Sequence, residues 1–569
     1  MEEARKTKSK PALSYVEWSG LAIVRNIRNT ADMTPVWEAL SQQCSYLKLS
    51  EIIKSFFNFL SENLLFGAIF LTNIMKINKY ILEIAVFICG AVVMVFELVG
   101  SRVLGPYFGT SIFVWTSLIG IILGSLSLGY YLGGKISDKK PNFVILSLII
   151  FLSAVFIGLT IFTKDFLLIF LQINVSDIQT SSVIASLILF LPASVLLGMV
   201  SPYAAKLKLD SLNTSGSIIG NLYAISTTGS IVGTFLSGFY LIPHFGTNRL
   251  LIILSITLIA VSLSLSANKF IKIRSSVFIF MIISWLVPNG FNYPLEKSEF
   301  IDIDTAYNRI WIYNYIDSKT NKQVKIMVIN NENHSSMFLD SDELVNEYTK
   351  YYHLAEHFNP NFKKTLMFGG AGYSYPKDFL LKYPEAKIDV VEIDPKVTEL
   401  AKKYFKLKET PRQTTYHEDG RVYLNKTQEK YDVIFGDAFS SHYSLPYQLT
   451  TKEAVQKKYN ILNDNGVVIL NIISAIAGEK GKFLRAEYAT YKSIFPQVYL
   501  FPVREPNDGS EVQNIILVAL KSKEDQVFNN DDQKLNGYLQ HLWKKAVDAD
   551  MPILTDDYAP VDYYISKAI

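Results

Sequence analysis

The sequence predicts two different parts in one chain: a multi-span α-helical membrane domain, and after it a soluble α/β domain with a parallel sheet. Three observations predict this class. The chain has 569 residues, of which 49% are hydrophobic and 19% charged, so it is too apolar and too long for one soluble domain. Long uncharged runs occur only in the first half, where residues 211–248 contain no Asp, Glu, Lys or Arg. From residue 364 onward, strand-like and helix-like segments alternate, which is typical of a doubly wound sheet.

Charge separates the two parts in the same way. Residues 290–569 carry a net charge of −5, and the 289 residues before them carry +8. Because the positive surplus flanks the apolar runs, it suits anionic lipid headgroups better than nucleic acid. The hydrophobic content excludes a disordered chain, and the two cysteines exclude a disulfide framework.

Six apolar runs in the first half are long enough to be membrane spans, because a bilayer core needs roughly 20 apolar residues in a helix. These predicted spans lie near residues 79–99, 111–134, 142–163, 180–202, 216–242 and 249–268. A shorter run follows at 276–289 and would rise only about 21 Å as a helix. We therefore expect this run to be a partial or interfacial helix.

The segment before the spans, residues 1–78, is basic at its start and has no apolar core with a cleavage site, so a secretory signal is not expected. Its apolar stretch 56–75 is interrupted by polar residues, which favours an interfacial position over a span.

Positive charge predicts the orientation of the spans. The cations fall in every second connection, and these connections are expected in the cytoplasm. They are Lys76, Lys79, Lys135, Lys139, Lys140, Lys206, Lys208, Lys269, Lys272 and Arg274. If the run 276–289 does not cross, the soluble domain is cytoplasmic as well. The sequence thus predicts a multi-pass protein of a bacterial-type inner membrane.

Two polar features lie at span ends or within spans. Glu97 and Arg102 are interpreted first as an interfacial ion pair and second as a substrate or ion site, because ionisable groups in a membrane are costly. Four glycines between residues 220 and 239 are interpreted mainly as helix-packing positions.

The soluble half contains an ordered series of strands and helices. The first strand, KTLMFGG, ends in glycines, and Pro395 begins the helix after the second strand, where its missing N–H has no cost. The other predicted strands are KIDVVEID, TTYHED, YDVIFGDAF and GVVILNII, with two more near 497–503 and 513–520. The helices are expected near 374–383, 395–405, 451–462 and 481–493.

The ends of four successive strands carry the residue types of a nucleoside site. The first strand ends in a glycine turn with Gly369, Gly370 and Gly372, which lets the backbone approach a ligand closely. Glu392 ends the second strand, where an acid accepts hydrogen bonds from two ribose hydroxyls. Ligands of such sheets bind beyond the carboxyl ends of the strands.

Asp419 and Gly420 end the third strand, where the acid is placed to accept from an adenine amino group, and Asp437 ends the fourth. Bulky residues after Gly372, beginning with Tyr373, disfavour the pyrophosphate of a dinucleotide and favour an S-adenosyl compound. Asp394 precedes Pro395 and is interpreted as a helix N-cap.

Residues 300–500 resemble polyamine aminopropyltransferases of the spermidine synthase type. The segments that carry the resemblance are FGGAG, VEIDPKVTELAKKYF, EDGRVYL, YDVIFGDAFS and LTTKEAVQKKYNILNDNGVVILN. The whole chain resembles the membrane-fused members of this family through ELVGSRVLGPYFGTS, LGMVSPYAAKL, LYAISTTGSIVGTFLSGF and LTDDYAPVDYY.

The resemblance implies a Rossmann-like fold of the S-adenosylmethionine methyltransferase type with a small N-terminal β subdomain. The expected division is a basic and interfacial segment at 1–78, a multi-pass transmembrane domain at 79–289, a β-rich subdomain at 290–362 and a catalytic domain at 363–569.

The resemblance also implies roles for individual residues. Asp437 is the expected general base that takes a proton from the attacking amine, which must be neutral to be nucleophilic. The expected nucleoside-binding residues are Asn308, Gly369, Gly370, Gly372, Glu392, Asp419, Gly420 and Pro446. The expected substrate contacts are Tyr307, Tyr373, Ser440, Asp556 and Asp557.

Three positions depart from the family pattern. The family has acids that grip a dicationic diamine where this chain has Gly372, Ser440 and Lys350. Each lost charge-assisted hydrogen bond is worth roughly 1.5–3 kcal/mol, which argues against putrescine as the acceptor. Asp556 and Asp557 are interpreted either as replacement carboxylates or as a surface turn.

The function predicted from these observations is an integral membrane aminopropyltransferase-like enzyme that uses decarboxylated S-adenosylmethionine and an amine acceptor. The alternatives are an S-adenosylmethionine-dependent methyltransferase, and a transporter or sensor whose soluble domain only binds ligand. The expected partners are the bilayer, a small amine and a second copy of the chain in a homodimer, but not nucleic acid. No metal is expected, since the seven histidines are scattered and no Cys/His ligand spacing occurs.

Overall fold

The computed structural model describes the chain in seven stretches, residues 80–175, 177–209, 215–266, 271–286, 300–317, 320–438 and 445–566. The predicted interfacial segment 1–78 lies outside the described residues.

The described residues before position 287 form a helical domain. Its helices are α1 (Ile81–Phe108), α2 (Ile112–Lys139), α3 (Phe143–Asn174), α4 (Ile178–Leu189), α5 (Leu191–Lys208), α6 (Ser215–Leu236), α7 (Ile242–His244), α8 (Thr247–Leu265) and α9 (Ile271–Leu286). A π-helical turn, Ser237–Leu241, joins α6 to α7.

Five stretches of this domain are long and apolar enough to cross a bilayer, namely α1, α2, α3, α8 and the continuous run Ser215–His244. The pair α4 and α5 is a sixth candidate, bent by 54°. The bend falls where Pro192 enters the first turn of α5, since proline cannot donate the backbone hydrogen bond that would continue α4. These candidates coincide with the six spans predicted from the sequence.

Glycines let α6 pack directly on the backbone of α1. A Cβ atom at Gly229 would overlap the backbone of Phe87, and one at Gly233 would overlap the backbone of Ala91. The interpretation of these two glycines as packing positions is therefore confirmed. Gly220 and Gly238 have nothing within 4 Å of the corresponding position, so they do not serve this contact.

The soluble part begins with a small antiparallel sheet in the order β1-β2-β3-β4. Its strands are β1 (Ile301–Asp304), β2 (Arg309–Ile316), β3 (Gln323–Ile329) and β4 (Glu332–Phe338). Two short helices, α10 (Glu347–Lys350) and α11 (Leu354–Phe358), lead from it to the large sheet.

The large sheet has seven strands in the order β10-β11-β9-β8-β5-β6-β7. The strands are β5 (Lys364–Phe368), β6 (Lys387–Val391), β7 (Gln413–Tyr416), β8 (Tyr431–Gly436), β9 (Leu462–Ser474), β10 (Gln497–Pro502) and β11 (Gln513–Leu520). The helices are α12 (Ser374–Lys382), α13 (Pro395–Tyr404), α14 (Gly420–Lys426), α15 (Lys452–Ile461), α16 (Lys482–Lys492), α17 (Gln533–Leu539) and α18 (Val561–Ile565).

The predicted sheet is confirmed in its centre and differs at one edge. Strands β5 to β9 are parallel, as the alternating pattern predicts. Strand β11, which lies between β10 and β9, runs antiparallel to both, because the chain returns from β10 through a short connection instead of a helical crossover. One hydrophobic core lies on each face of this sheet.

The soluble part docks on one end of the helical domain through hydrogen bonds. Arg309 of β2 bonds Asp165 near the end of α3, at 3.0 Å. The Asp304 carboxylate accepts from the backbone N–H of Thr247 at the start of α8, at 2.9 Å. The Asp562 carboxylate accepts from the N–H of Ile112 at the start of α2, at 3.1 Å.

This docking end is the end with few cations. The described cations at the opposite end of the helices are Lys135, Lys139, Lys140, Lys206, Lys208, Lys272 and Arg274. The sequence analysis placed those cations and the soluble domain on the same side of the membrane. That combination does not hold in the structure, because the soluble part and the cation-rich connections lie at opposite ends of the helices.

The path of α9 explains this difference. Arg274 in its first turn bonds the side chain of Ser147 near the start of α3, and Met281 further along packs at Gly158. Helix α9 thus runs alongside α3 toward Asp165 and the docking end. The described part of this helix has 16 residues and is not among the candidate spans, so the expectation that the apolar run is a partial helix stays a prediction.

Candidate active site

The carboxyl ends of the parallel strands β5, β6, β7 and β8 meet at one edge of the large sheet. The turn Gly369–Gly372 follows β5, Glu392 follows β6, Asp419 follows β7 and Asp437 follows β8. The residues that the sequence analysis singled out at four strand ends therefore converge on one edge, as expected for ligand sites in such sheets. We call this edge the nucleoside edge, after the ligand that the sequence predicts there.

The glycine turn needs its glycines for steric reasons. Gly369 has a φ of 90°, and a Cβ atom there would overlap the backbone carbonyl of Asp437. At Gly372 a Cβ atom would lie 2.8 Å from the Ser335 side chain and 3.0 Å from Phe405. The turn therefore brings the end of β5 against the end of β8 and leaves no room for an acidic side chain at position 372.

Glu392 ties the glycine turn to the end of β6. One carboxylate oxygen accepts from the N–H groups of Gly370, at 2.9 Å, and Ala371, at 3.2 Å. The other accepts from the N–H of Asp394 at 3.0 Å. Burial raises the pKa of Glu392, and these N–H donors oppose the rise. Three of the roughly four acceptor positions of the carboxylate are in use, so it retains room for a ribose hydroxyl.

Asp394 caps helix α13 by accepting from the N–H of Lys396 at 3.0 Å, as its position before Pro395 predicts. Its second oxygen accepts from the hydroxyl of Thr305 and, at 3.4 Å, from the side-chain amide of Asn308. The loop between β1 and β2 is thereby fixed beside the nucleoside edge.

Asn308 lies in that loop, and Asn330 donates to its amide oxygen at 2.8 Å. The neighbouring Tyr307 has a half-exposed side chain, and its backbone carbonyl accepts from Arg102 of α1 at 2.6 Å. Arg102 also donates to the carbonyls of Thr305, at 2.6 Å, and Ala306, at 3.2 Å. A side chain of the helical domain thus holds the loop that covers the nucleoside edge.

This finding corrects the first interpretation of Arg102. In the described residues no ion pair joins Arg102 to Glu97. Five residues of α-helix place the two side chains roughly 140° apart around the axis, so they leave α1 on different faces.

Asp419 caps helix α14 and also faces the third strand end. One oxygen accepts from the N–H groups of Arg421, at 2.8 Å, and Val422, at 3.1 Å, and the other accepts from Gln448 at 3.3 Å. A Cβ atom at Gly420 would lie 3.1 Å from Phe368 and 3.2 Å from Leu449, which is closer than ordinary van der Waals contact, so these side chains pack tightly on the glycine. One oxygen of Asp419 is therefore committed to the helix, and its base-binding role stays a prediction.

A small cavity opens beside these residues on the same face of the sheet. Its apolar lining includes Phe368, Pro446 and Leu449, so the structure brings Pro446 to the expected base-binding region. Two buried charged side chains, Lys458 and Glu487, also line the cavity. Burial lowers the pKa of Lys458 and raises that of Glu487.

Asp437 is held by two neutral side chains. Asn471 at the end of β9 donates to one carboxylate oxygen at 3.1 Å, and the Tyr348 hydroxyl donates to the other at 3.1 Å. Asn514 donates to the Asn471 amide oxygen at 2.9 Å and so fixes its orientation. Burial raises the pKa of Asp437, and the Asn471 amide, the Tyr348 and Tyr352 hydroxyls and the nearby His334 oppose the rise. A carboxylate held in this way can accept a proton from an amine.

Sequence reasoning did not assign roles to Asn471, Lys458 and Glu487. The sequence could have indicated Asn471, because it is a polar residue near the carboxyl end of the apolar strand GVVILNII. It could not have indicated Lys458 and Glu487, since each is one of several charged residues on an amphipathic helix.

Two of the five expected substrate contacts are engaged elsewhere. The buried Tyr373 hydroxyl is hydrogen-bonded to Thr398 at 2.7 Å. Asp556 accepts from both terminal nitrogens of Arg421, at 2.6 and 3.0 Å, and from Thr451, so it is not a free replacement carboxylate. Asp557 is exposed, and Ser440 lies outside the described residues.

Lys350 lies where the family pattern has an acid and pairs with Glu347 at 2.7 Å. Among the described residues, no group of three or more His, Cys, Asp or Glu side chains is arranged to hold a metal ion.

Comparison with known proteins identifies the soluble part. Residues 347–529 match the family described as the spermine/spermidine synthase domain. A polyamine aminopropyltransferase from Vibrio vulnificus is 32% identical over 170 residues, which are 29% of this chain and 54% of that protein. A probable polyamine aminopropyl transferase from Bifidobacterium longum is 28% identical over 296 residues, which are 48% of this chain and 66% of that protein.

The chain thus spans between about half and two thirds of the length of these relatives. A solved probable spermidine synthase from Corynebacterium glutamicum is 20% identical, with a TM-score of 0.36, and the match covers 42% of this chain and 85% of that one. Residues 347–529 are thus similar to the spermine/spermidine synthase domain and to polyamine aminopropyltransferases, and several apolar helices precede them in the chain.

Proposed function

We propose that this protein is a membrane-integral transferase that moves an aminopropyl group from decarboxylated S-adenosylmethionine to an amine. The observation that carries the proposal is the position of Asp437. It lies at the end of β8, in contact with the glycine turn, and Tyr348 and Asn471 hold its carboxylate. A general base beside a nucleoside edge is the arrangement that this transfer requires.

The reaction follows from the charges involved. The neutral acceptor nitrogen attacks the carbon next to the sulfonium, a nitrogen–carbon bond forms, and the carbon–sulfur bond breaks with its electron pair left on sulfur. The nucleoside leaves as methylthioadenosine, and Asp437 takes the proton that the nitrogen loses. Burial that raises the pKa of Asp437 makes it a stronger base than an exposed aspartate.

The donor is proposed to lie along the strand ends. Glu392 and the glycine turn would hold the ribose, while Asp419, Gly420 and Pro446 would hold the base, with Asn308 closing over the nucleoside. The support for this is the dense hydrogen bonding that fixes Glu392 and the apolar cavity beside Pro446.

The acceptor is proposed to be an amine other than a dicationic diamine. The closed space at Gly372, the cation at Lys350 and the engaged carboxylate of Asp556 all weigh against a second ammonium group near Asp437. An amine with one charge at neutral pH, or with an apolar tail, fits the neutral side chains around Asp437 better.

One observation favours a second candidate, a methyltransferase that uses S-adenosylmethionine. The positive charge of Lys350 suits a donor that keeps its carboxylate. A relative from Xenopus laevis, 32% identical over 124 residues, is described as an eEF1A lysine and N-terminal methyltransferase.

The test uses the full chain purified in detergent. Calorimetric titration compares decarboxylated S-adenosylmethionine with S-adenosylmethionine, and chromatography then identifies the nucleoside released with a panel of amines. Methylthioadenosine supports the aminopropyl transfer, and S-adenosylhomocysteine would replace it with the methyltransferase. Failure to bind either nucleoside would overturn both.

The orientation in the membrane is a separate proposal. We keep the orientation set by the cations, since the helix ends away from the soluble part carry most of them. The soluble part then lies outside the cytoplasm, contrary to the cytoplasmic placement expected from the sequence, and the charged donor has to be delivered there. Reporters fused after Ile569 decide it: external activity supports this orientation, and cytoplasmic activity overturns it.

A homodimer is proposed on the family resemblance alone. Light scattering on the purified chain gives the number of subunits after correction for detergent. A mass of one chain would overturn the homodimer.

A further inference from the structure

The soluble part exposes an unusual set of large apolar side chains at the nucleoside edge. Of its ten large apolar residues that are well exposed among those described, six lie around this edge. These six, between 38% and 57% exposed with the helical domain in place, are called the apolar rim: Tyr307, Ile393, Val422, Tyr447, Tyr558 and Tyr563.

The chain itself ties the rim to the site. Ile393 lies between Glu392 and Asp394, and Tyr447 follows Pro446. Val422 is in the first turn of α14, which Asp419 caps. Large apolar side chains that stay in contact with water after folding cost free energy. A cluster of them around one edge therefore indicates a contact surface.

Two members of the rim lie at the contacts with the spans. The carbonyl of Tyr307 accepts from Arg102 of α1, and Asp562, the residue before Tyr563, accepts from the N–H of Ile112. Helix α2 begins at Ile112, so the rim lies at the level where this candidate span starts. The rim is therefore continuous with the interface between the soluble part and the helical domain.

The composition of the rim matches that level of a membrane. Four of its six members are tyrosines, whose rings are apolar and whose hydroxyls remain hydrated, and tyrosine is enriched at membrane–water interfaces. Ile393 and Val422 add purely apolar area between them. The other well-exposed apolar residues of the soluble part, Ile316, Leu381, Val527 and Ile553, are all aliphatic.

We propose that the apolar rim contacts the headgroup region of the bilayer, so that the nucleoside edge opens at the membrane surface. The rim residues insert beside the headgroups, while Arg102, Asp165 and the N-terminus of α8 anchor the soluble part to the spans. This proposal concerns where the surface lies and does not depend on which group the enzyme transfers.

The test measures contact between the rim and lipid. Tyr447→Cys and Val422→Cys are each made in a Cys44→Ser background, with the buried Cys89 retained, and labelled with a small fluorophore. The full chain is reconstituted in nanodiscs of phosphatidylcholine and phosphatidylglycerol with or without nitroxide-labelled lipid. Leu381→Cys and Val527→Cys serve as matched controls, because both are exposed apolar positions outside the rim.

The expected result is stronger quenching by lipid nitroxide at both rim positions, by about threefold over the controls, since interfacial groups lie within roughly 5–10 Å of the acyl boundary. Equal quenching at rim and control positions would overturn the proposal. Rim labels that are shielded from both the lipid nitroxide and aqueous iodide would also overturn it and would indicate a second copy as the occupant. Circular dichroism and melting curves check that each variant is folded, and agreement between two independent rim positions guards against a local effect.

Discussion

The two sides of Asp437 are built differently. On the donor side, Glu392 accepts three backbone hydrogen bonds, and a glycine at φ 90° lets the turn after β5 touch the end of β8. On the proposed acceptor side, the neutral side chains of Tyr348 and Asn471 donate hydrogen bonds to the carboxylate. The positions at which the family pattern has acids are closed at Gly372 and cationic at Lys350.

The difference indicates which part of the chemistry is fixed and which part has changed. Backbone N–H groups and glycine conformations cannot be replaced one side chain at a time, so the donor side tolerates little variation. The acceptor side depends on single charged side chains, and a few substitutions change the charge that it selects. The predictions below test this contrast, beginning with the residue that both sides share.

Substitution of the shared base has the largest expected effect. Asp437→Asn keeps the shape and one oxygen that can accept from Asn471, and the Tyr348 hydroxyl can turn to accept from the new amide, but the side chain cannot take the proton. We therefore expect kcat to fall by about 10²–10⁴-fold with donor affinity nearly unchanged. Steady-state kinetics and donor titration measure the two quantities. Asp464→Asn, an exposed aspartate beyond the site, is the control and should leave both unchanged. Wild-type turnover in Asp437→Asn would remove this residue from its role.

A donor-side substitution comes next. Glu392→Gln retains one oxygen acceptor but loses the charge and at least one of the N–H contacts at Gly370, Ala371 or Asp394. Hydrogen bonds to charged groups are worth about 1.5–3 kcal/mol, so donor affinity is expected to fall roughly 10–150-fold. Isothermal titration gives the affinity. Because Glu392 also braces the turn, a melting curve separates loss of binding from loss of folding, and unaltered affinity in a folded variant would contradict the ribose role.

An acceptor-side substitution tests the opposite half of the contrast. Lys350→Glu replaces a cation by the type of charge that the family pattern has at this position. We expect the KM for putrescine to fall by about tenfold, the effect of one charge-assisted contact, while the affinity for the donor stays the same. Lys350→Gln is the matched control, since it removes the cation without adding an acid. If both variants lower the KM for putrescine equally, repulsion by Lys350 rather than a missing acid explains the preference against putrescine.

The strand-end residues could be placed together from the sequence, and the predicted acceptor contacts could not, for a physical reason. A parallel sheet collects the carboxyl ends of its strands at one edge, so Glu392, Asp419 and Asp437 could be placed together from strand patterns alone. The six spans followed from apolar length in the same way. Each of these inferences uses a local pattern with a fixed geometric consequence.

The other features depend on contacts that no local pattern encodes. Arg102 bonds carbonyls about two hundred residues later in the chain, and Asp556 pairs with Arg421 across more than a hundred residues. The soluble part docks on the cation-poor helix ends because α9 runs beside α3, a direction that its short apolar length did not predict. Pairing across such separations becomes visible only in the folded chain.

The pH profile should respond to the hydrogen bonds on the acceptor side. Asp437 works as a base only when ionised, and burial raises its pKa, so kcat/KM should fall with decreasing pH above the range of a free aspartate, about 3.9. Tyr348→Phe removes a donor that stabilises the ionised form and should move this acid limb upward by about one pH unit. Tyr313→Phe, a tyrosine of the small sheet, is the control. An unchanged acid limb would show that another group sets it.

The smallest effect is expected at Arg102, whose guanidinium contacts the loop between β1 and β2. Its guanidinium bonds the carbonyls of Thr305, Ala306 and Tyr307, and the Thr305 hydroxyl in turn bonds Asp394 beside Glu392. Arg102→Ala should therefore raise the KM for the donor by about threefold to tenfold, which corresponds to the loss of one or two hydrogen bonds, and leave kcat unchanged.

Arg102→Lys distinguishes positioning from simple docking. Lysine keeps the charge at the helix end but lacks the planar fork that reaches several carbonyls, so it should restore only part of the donor KM. Arg249→Ala, another cation at the same end of the helical domain, should leave donor KM unchanged. If Arg102→Ala lowers kcat and raises the acceptor KM as much as it raises the donor KM, the loop serves the whole site. The contrast between a braced donor side and a separate acceptor side would then not extend to the membrane helices.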